Sequence, residues 1–413
     1  MKQPFVLWVI THRNFKEIFV RVSDMLVGYL LRPFSFLAFR NRRKWVIGNK
    51  TGFADNSKYL FIHLQQYHAD EIRAIWIASS SKEEQMVKEC SLEVYRKWSW
   101  KGLYHSLTAG VYIFSSCSSD INYWTSGRAI KVNLWHGVGI KKLGLKESDV
   151  YNPKDILARI LTPYIYAQPD IFVTTSELMT QHFRDCYALS ETQTKRIGYS
   201  RCDFLLKPLE EIDCLIKLYE DKKVQELSHR LERYKKVYIY MPTFRDDQSD
   251  FIQKSGIDFK LLDEVLYKKN EVFLLKMHPA TRMNFDVIGK CTNVILLDKS
   301  MDVYPLLPKT DVLITDYSSI YYDYILMPEK DVLLFPFDYQ DYIRNSRDLA
   351  YDYLTYTPGV KVWNFDDLLR TIKEDKSLFF IEREWAISTF WGESYNNASK
   401  QIIDVIKEKC RLV

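Results

Sequence analysis

Four stretches of the chain gather residues able to move protons or hold anions. They are His136-Gly-Val-Gly-Ile-Lys141-Lys142-Leu-Gly144, Pro242-Thr243-Phe244-Arg245-Asp246-Asp247, Lys276-Met277-His278-Pro279 and Asp316-Tyr317-Ser318-Ser319. Their types are complementary. Arg245 and Lys276 bring positive charge. Ser318 and Ser319, opening an expected helix, bring donors for anionic oxygens. Histidine, present at His136 and His278, is the side chain that exchanges protons near neutral pH. Together the set fits a phosphate-bearing substrate. Each stretch alone has an ordinary structural alternative: a satisfied core histidine at His136, turn chemistry at His278-Pro279, a surface turn at Thr243 and Arg245, a helix N-cap at Ser318-Ser319. Gly137 favours the functional reading of His136, because glycine lets the backbone turn sharply and a ligand come close.

What positions these stretches is a series of short apolar runs, each ending where a polar cluster begins. The runs predict strands at Trp45–Ile47, Ala74–Ile77, Val111–Phe114, Val132–Trp135, Ile171–Thr174, Val237–Met241, Val272–Leu275, Val294–Leu297, Val312–Thr315 and Val332–Phe335. Amphipathic stretches such as Asn56–Gln66, Ser176–Tyr187 and Phe259–Lys268 lie between them. Strand, helix, strand at this spacing predicts parallel, doubly wound sheets. In such sheets ligands bind beyond the carboxyl ends of strands, where the four clusters fall. The charged stretch Leu206–Lys236 shows no strand pattern and reads as a link between two domains.

Composition narrows the class further. In 413 residues, 47% hydrophobic and 27% charged is the balance of a soluble globular protein. Disorder, collagen and a multi-span membrane protein are excluded. Seven cysteines without a C-x-x-C pair predict free thiols in a reducing compartment. No secretory signal is expected: Phe5–Ile10 is short and no small-residue cleavage site follows. The net charge is +5, yet Met1–Lys44 alone holds nine Lys/Arg against two Asp/Glu. The cationic excess is therefore terminal, and no nucleic-acid groove is expected. In this segment the apolar runs Asp24–Leu31 and Phe34–Phe39, separated by Arg32-Pro33, are flanked by Arg13, Lys16, Arg21, Arg40, Arg42, Arg43 and Lys44. Neither run reaches the roughly 20 residues of a membrane span. Such a segment suits an anionic membrane surface; the alternative is a helical pair packed on the protein's own core.

Common nucleotide motifs are missing. Gly137-x-Gly139 is followed next by Gly144, off the dinucleotide spacing, and there is no Walker loop. No D-x-D occurs, and the histidines lack zinc spacing, so no metal ligands are assigned.

Taken in order, Trp135-His136-Gly137…Lys141…Gly144, Gly198-Tyr-Ser-Arg201-Cys-Asp203, Met241-Pro-Thr-Phe-Arg245-Asp246, Leu275-Lys-Met-His278-Pro279 and Asp311-Val-Leu-Ile-Thr-Asp316-Tyr-Ser318-Ser319…Asp323 resemble the CDP-glycerol glycerophosphotransferase family of teichoic acid and capsule polymer synthesis. Gly48…Asp55-Asn56…Tyr59-Leu60 resembles that family's first strand and helix. The resemblance runs from about Gly48 to about Tyr353. Two departures stand out: Gly139 replaces the usual Pro after W-H-G-x, and Tyr199-Ser200 replaces the usual residue-Pro before Arg201. Both bear on loop stiffness more than on chemistry.

The resemblance implies an α/β, GT-B-like fold: two Rossmann-like domains facing across a cleft. The expected division is a basic, aromatic-rich segment at 1–44, an acceptor-side domain at 45–215, a CDP-donor domain at 216–390 and a final helix at 391–413. Ala398, Ile402, Val405 and Ile406 give that helix an apolar stripe with which to return to the first domain. The implied reaction is attack of an acceptor hydroxyl on the β-phosphorus of CDP-glycerol, with CMP leaving. His136 is the expected base, with His278 the second catalytic histidine. Thr243, Arg245, Lys276, Ser318, Ser319, Asp316 and Asp323 are expected on the donor, and Gly137, Lys141 and Arg201 on the acceptor side or its loop. No cofactor is implied, and divalent-metal dependence stays open. The acceptor is expected to be lipid-linked and the protein peripheral on the cytoplasmic face of a bacterial plasma membrane. CDP-ribitol as donor, a GT-B glycosyltransferase of capsule synthesis and an inactive docking protein are the alternatives. The length of the chain favours a primase, a linker-type transferase or a compact polymerase.

Overall fold

Runs rich in Val, Ile and aromatic residues pair side by side because each can bury both faces between helices. In a computed structural model of the chain, residues 15–146, 156–245, 251–278, 288–345, 349–393 and 395–411 are described. Asp246, Asp247, Pro279 and the first fourteen residues of the basic segment lie outside them. The chain divides into two compact units. One holds the chain up to His136, Leu143–Phe204 and the chain from Glu393 onward; the other holds Gly137–Lys142 and Leu205–Gly392.

The first unit is built on strands β1 (Asn41–Gly48), β2 (Arg73–Ala78), β3 (Val94–Arg96), β4 (Ala109–Phe114), β5 (Ile130–Asn133), β6 (Ile171–Thr174) and β7 (Thr194–Arg196). They lie in the order β3-β2-β1-β4-β5-β6-β7, every pair parallel. The order reverses between β1 and β4, the topological switch point of a doubly wound sheet. Val46, Ile75, Ile77, Tyr112 and Ile121 form part of its core.

Two of this unit's helices are the first and last of the described residues. The basic segment forms one continuous helix, Phe15–Leu37, rather than two runs broken at Arg32-Pro33. One face packs inward. A Cβ on Gly28 would stand 2.3 Å from the Trp124 ring, and Arg32 Nη1 donates to the Tyr123 carbonyl at 2.6 Å. The opposite face leaves Phe19, Leu26, Leu30, Phe34 and Leu37 exposed. Arg40, expected to face an anionic surface, is instead tied into the fold. Its guanidinium donates to the carbonyls of Ser35, Ser106, Ala109 and Thr125. Arg42 likewise donates to the Cys410 carbonyl. The last helix, Ala398–Arg411, buries Ala398, Ile402, Ile403 and Ile406. The Asp203 carboxylate accepts from the Ala398 and Ser399 amides at 2.8 and 2.7 Å, capping that helix.

The second unit carries β8 (Lys236–Met241), β9 (Glu271–Leu275), β10 (Val294–Leu296), β11 (Val312–Thr315), β12 (Asp331–Leu334) and β13 (Val360–Lys361). The order is β10-β9-β8-β11-β12-β13, again all parallel, with its switch point between β8 and β11. Tyr240, Phe273, Leu275, Ile314 and Phe335 pack with Leu262, Leu266, Leu368 and Ile372 from flanking helices. The stretch Leu206–Lys236, expected as a link, is part of this unit. It forms helices Leu209–Tyr219 and Lys222–Leu231, which bury Ile212, Leu215, Ile216, Val224 and Leu231. Their charges lie on the outer face, which gave the stretch its linker-like composition.

Candidate active site

In the first unit the polar groups converge on His136. Strand β5 stops at Asn133, short of the expected Trp135, because Trp135 takes a left-handed backbone with φ of 55°. A bulky residue there carries strain of roughly 1–2 kcal/mol. Gly137 follows with φ of 156°. The Trp135 amide and the Trp135 and His136 carbonyls at this turn are each held by a side chain. Asn133 Oδ1 accepts from the Trp135 amide at 2.8 Å, and Asn56 Nδ2 donates to the Trp135 carbonyl at 2.8 Å. Arg201 Nη1 donates to the His136 carbonyl at 3.0 Å and to Asp55 Oδ1 at 2.6 Å. The Arg201 amide in turn donates to Asn56 Oδ1 at 3.2 Å.

The His136 side chain is exposed, although Trp135, Asn56 and Arg201 are buried. Its Nδ1 lies 3.1 Å from the Ser115 carbonyl, and its ring leans on Trp135 with centroids 4.2 Å apart. In neutral imidazole, a proton on Nδ1 donated to that carbonyl puts the basic lone pair on Nε2. Ser115 follows β4, and its Oγ lies 2.8 Å from Ser57 Oγ, linking the loop after β4 to the helix after β1 across the switch point. Beyond it, Asp120 accepts from the Ser116 amide at 2.9 Å, and burial pushes its carboxyl up to about 7.

The chain leaves this unit directly after His136. Lys141, expected on the acceptor side, belongs with Gly137 to the second unit, bridges to Leu349 and lies 5.9 Å from the Tyr342 ring.

At the second switch point the cations expected on a diphosphate are engaged within the fold. Arg245 is 3% exposed. It forks onto Asp338, Nε to Oδ2 at 2.7 Å and Nη2 to Oδ1 at 2.8 Å, while Nη2 also reaches Asp316 Oδ2 at 2.8 Å. Burial disfavours its charge, but Asp316 and Asp338 more than restore it and hold the guanidinium above its ordinary range. Asp316 Oδ1 also accepts from the Thr243 and Tyr317 amides at 2.8 and 2.6 Å. It thus ties together the loops after β8 and β11. Tyr317 and Tyr342 stack beside the Arg245 guanidinium, and Tyr353 meets Tyr317 edge-on. Lys276 Nζ donates to the carbonyls of Asp298, Lys299 and Met301 at 2.7–2.9 Å. Burial brings its ammonium down to about 8, against the pull of Asp302 and Asp298. Asp323 is buried and accepts from the Tyr304 hydroxyl at 2.5 Å.

Other expected donor residues sit nearer the surface. His278 is exposed, with its ring 5.2 Å from that of Phe244. Ser318 and Ser319 are half-buried ahead of helix Ile320–Tyr324, whose five residues give little macrodipole. Thr243 Oγ1 is buried and has no hydrogen-bond partner among the described residues. Among the described residues no cluster of three His, Cys, Asp or Glu side chains is arranged to hold a metal ion.

The sequence reading passed over Asp55, Asn133, Ser115 and Asp338. Asp55-Asn56 stood in a motif without a role. Ser115 follows a strand at the switch point, which was a usable signal, but a run of hydroxyls carries no charge to draw attention.

Comparisons with known proteins agree with this architecture. The solved structure of the wall teichoic acid polymerase TagF matches 96% of this chain and 97% of its own, with a TM-score of 0.72 at 20% identity. A UDP-GlcNAc 2-epimerase from Methanocaldococcus jannaschii matches 88% of this chain with a TM-score of 0.51 at 11% identity. At these identities the likeness is one of fold, and it supports the GT-B-like α/β class. Among sequences, the teichoic acid poly(ribitol-phosphate) polymerase of Bacillus spizizenii is 28% identical over 281 residues, 67% of this chain and 42% of that protein. The teichoic acid glycerol-phosphate primase of Bacillus subtilis is 27% identical over 67% of each chain. A teichoic acid poly(glycerol phosphate) polymerase of Bacillus spizizenii aligns over 94% of this chain and 98% of its own at 22% identity. This chain therefore spans less than half of the first of these relatives. Residues 36–406 match the family model described as CDP-Glycerol:Poly(glycerophosphate) glycerophosphotransferase, and with motifs, sheets and strand-end clusters in agreement the chain belongs to that family.

Proposed function

We propose that the protein transfers glycerol phosphate from CDP-glycerol to a hydroxyl of a teichoic-acid-type acceptor, releasing CMP. The observation that carries this reading is the exposed His136 imidazole, oriented by the Ser115 carbonyl on a turn whose Trp135 and His136 carbonyls are both held. An alcohol is a weak nucleophile, so a base at its proton lowers the barrier. The acceptor oxygen forms a bond to the β-phosphorus while the bond from that phosphorus to the bridging oxygen breaks. His136 Nε2 takes the hydroxyl proton, and the bridging oxygen leaves on CMP. His278, Thr243, Ser318 and Ser319 contribute donors to the diphosphate, where stabilising developing charge is the main catalytic demand. Arg245, Asp316, Lys276 and Asp323 act behind them, holding loops.

A second donor is favoured by one comparison. The ribitol-phosphate polymerase is as similar to this chain as the glycerol-phosphate primase. A panel of CDP-glycerol, CDP-ribitol and nucleotide sugars, read by product mass, separates these donors. CMP release with a new phosphodiester supports the proposal; a glycosidic product, or no turnover of either CDP-alditol, rejects it. Adding a chelator to the same assay reads divalent-metal dependence.

We also propose a peripheral site on the inner face of the plasma membrane, close to a lipid-linked acceptor. The support is the exposed row Phe19, Leu26, Leu30, Phe34 and Leu37, which lies beside Phe39, also exposed. Among the described residues no helix is long and apolar enough to cross a membrane. With Arg40 and Arg42 engaged in the fold, apolar burial rather than those charges carries the attraction. The variant Leu30→Glu/Phe34→Glu is expected to leave anionic liposomes in flotation yet keep turnover of a short soluble acceptor. Unchanged flotation would reject the membrane face.

A further inference from the structure

We infer that Asn56 is a positioning residue for His136, acting together with the Asp55–Arg201 ion pair. The inference rests on the proposed role of His136 as base. Asn56 is fully buried at the start of helix Asp55–Tyr67. Its one planar amide joins two segments: Nδ2 donates to the Trp135 carbonyl at 2.8 Å, and Oδ1 accepts from the Arg201 amide at 3.2 Å. The task needs a donor and an acceptor on one short rigid group. Among side chains of this length only asparagine supplies both; aspartate cannot donate and leucine can do neither.

Arg201 closes the other half. Its Nη1 bridges Asp55 Oδ1 and the His136 carbonyl, so an ion pair of a buried guanidinium and a half-buried carboxylate is aimed at a backbone oxygen. Asp55 itself has φ of 63°, a second left-handed residue in the same assembly. Two consecutive carbonyls, of Trp135 and His136, are thus fixed by two side chains that are themselves joined through the Arg201 amide. A left-handed tryptophan persists only where its surroundings over-determine it. Releasing the Trp135 carbonyl lets the backbone return towards negative φ, which rotates the 135–136 peptide and swings the imidazole away from the Ser115 carbonyl. The clamp therefore sets where Nε2 points. The clamp acts through His136 and not on the substrate.

The test is a double-mutant cycle on the full chain. Single-turnover and steady-state rates with radiolabelled CDP-glycerol are measured for wild type, Asn56→Ala, His136→Ala and the double variant. A misplaced catalytic group loses about 10²-fold in rate. Asn56→Ala is expected to lower kcat by about that factor with donor KM within about twofold. In the His136→Ala background the same substitution is expected to have no further effect. An equal fall in both backgrounds, a raised KM at unchanged kcat, or no fall at all would overturn the clamp. Full turnover by His136→Ala would instead remove the base assignment, an outcome separate from the first three. Should Asn56→Ala fail to fold by circular dichroism, Asp55→Asn replaces it in the cycle. That variant keeps both Asn56 side-chain bonds and weakens the Asp55 oxygen that holds Arg201 and the Asn56 amide, so a smaller fall confined to the His136 background is expected, and an additive fall rejects the inference.

Discussion

The two sheets share one winding, and each has a switch point at which side chains join the flanking loops, but the joints differ in charge. In the first unit the joint is neutral, Ser57 to Ser115, and the neighbouring ion pair directs a donor onto the His136 carbonyl. In the second it is ionic: Asp316 holds the Thr243 amide and, with Asp338, surrounds Arg245. One guanidinium between two carboxylates is a net negative cluster and does not attract a diphosphate. The contrast teaches that a cation at a strand end is not in itself an anion site; what matters is whether the fold has already neutralised it. In the proposed reaction, recognition of phosphate in the second unit is assigned to hydroxyls and the exposed His278 imidazole.

The sharpest way to test the contrast is at the histidine. His136→Ala is expected to lower kcat by about 10²–10⁴-fold while CDP-glycerol affinity by calorimetry stays within about twofold. Arg245→Ala should act on stability first. Breaking a buried ion pair by removing one partner costs about 3–5 kcal/mol, to be read as a lower denaturation midpoint. A stable Arg245→Ala protein that has lost donor affinity alone would reverse the assignment and make Arg245 a ligand. The Ser318→Ala/Ser319→Ala variant should do the opposite, keeping its melting temperature and losing donor affinity. A hydrogen bond to a charged group is worth about 1.5–3 kcal/mol, so at least a tenfold weakening is expected; unchanged affinity would show that the anion site lies elsewhere.

The smallest effect concerns pH. Burial raises the folded-state carboxyl of Asp120, with Lys97 and Lys50 opposing. Between its unfolded value of 3.8 and its folded value of about 7, the unfolded chain has released a proton that the folded chain keeps. Stability contributed by this group is therefore present at low pH and is lost as pH rises through that window. From about pH 6 to 8 the loss is on the order of 1 kcal/mol. Asp120→Asn should flatten this slope in thermal melts, and an unchanged slope would remove Asp120 as its source.

Legibility followed burial and locality. Central strands such as β4 and β11 were readable because parallel strands buried on both faces are continuous apolar runs. Strands β3, β7 and β13 were not. Each is a sheet edge of two or three residues, Val94-Tyr-Arg96, Thr194-Lys-Arg196 and Val360-Lys361, with polar side chains where a central strand has apolar ones. The site divides in the same way. His136 could be singled out as a candidate because its glycine neighbour is adjacent in sequence. Asn56 could not be given its role, since the carbonyl it holds is 79 residues away. The carboxylate that forks onto Arg245 lies 93 residues downstream, which is why the pairing of this arginine within the fold was not readable from its neighbours in sequence.

The helix Ala398–Arg411 has a consequence for how the protein is made. It packs in the first unit, and its leading amides rest on Asp203, yet it leaves the ribosome after the whole second unit. At roughly 5–20 residues per second, the nascent first unit waits on the order of 10–40 s for the segment that covers it. Through that interval the surface destined for Ile402, Ile403 and Ile406 stays open to chaperones or to neighbouring chains. Stalled chains ending after Phe204 should therefore be cut by protease more readily than released full-length protein, and equal resistance would show that the first unit closes without its last helix.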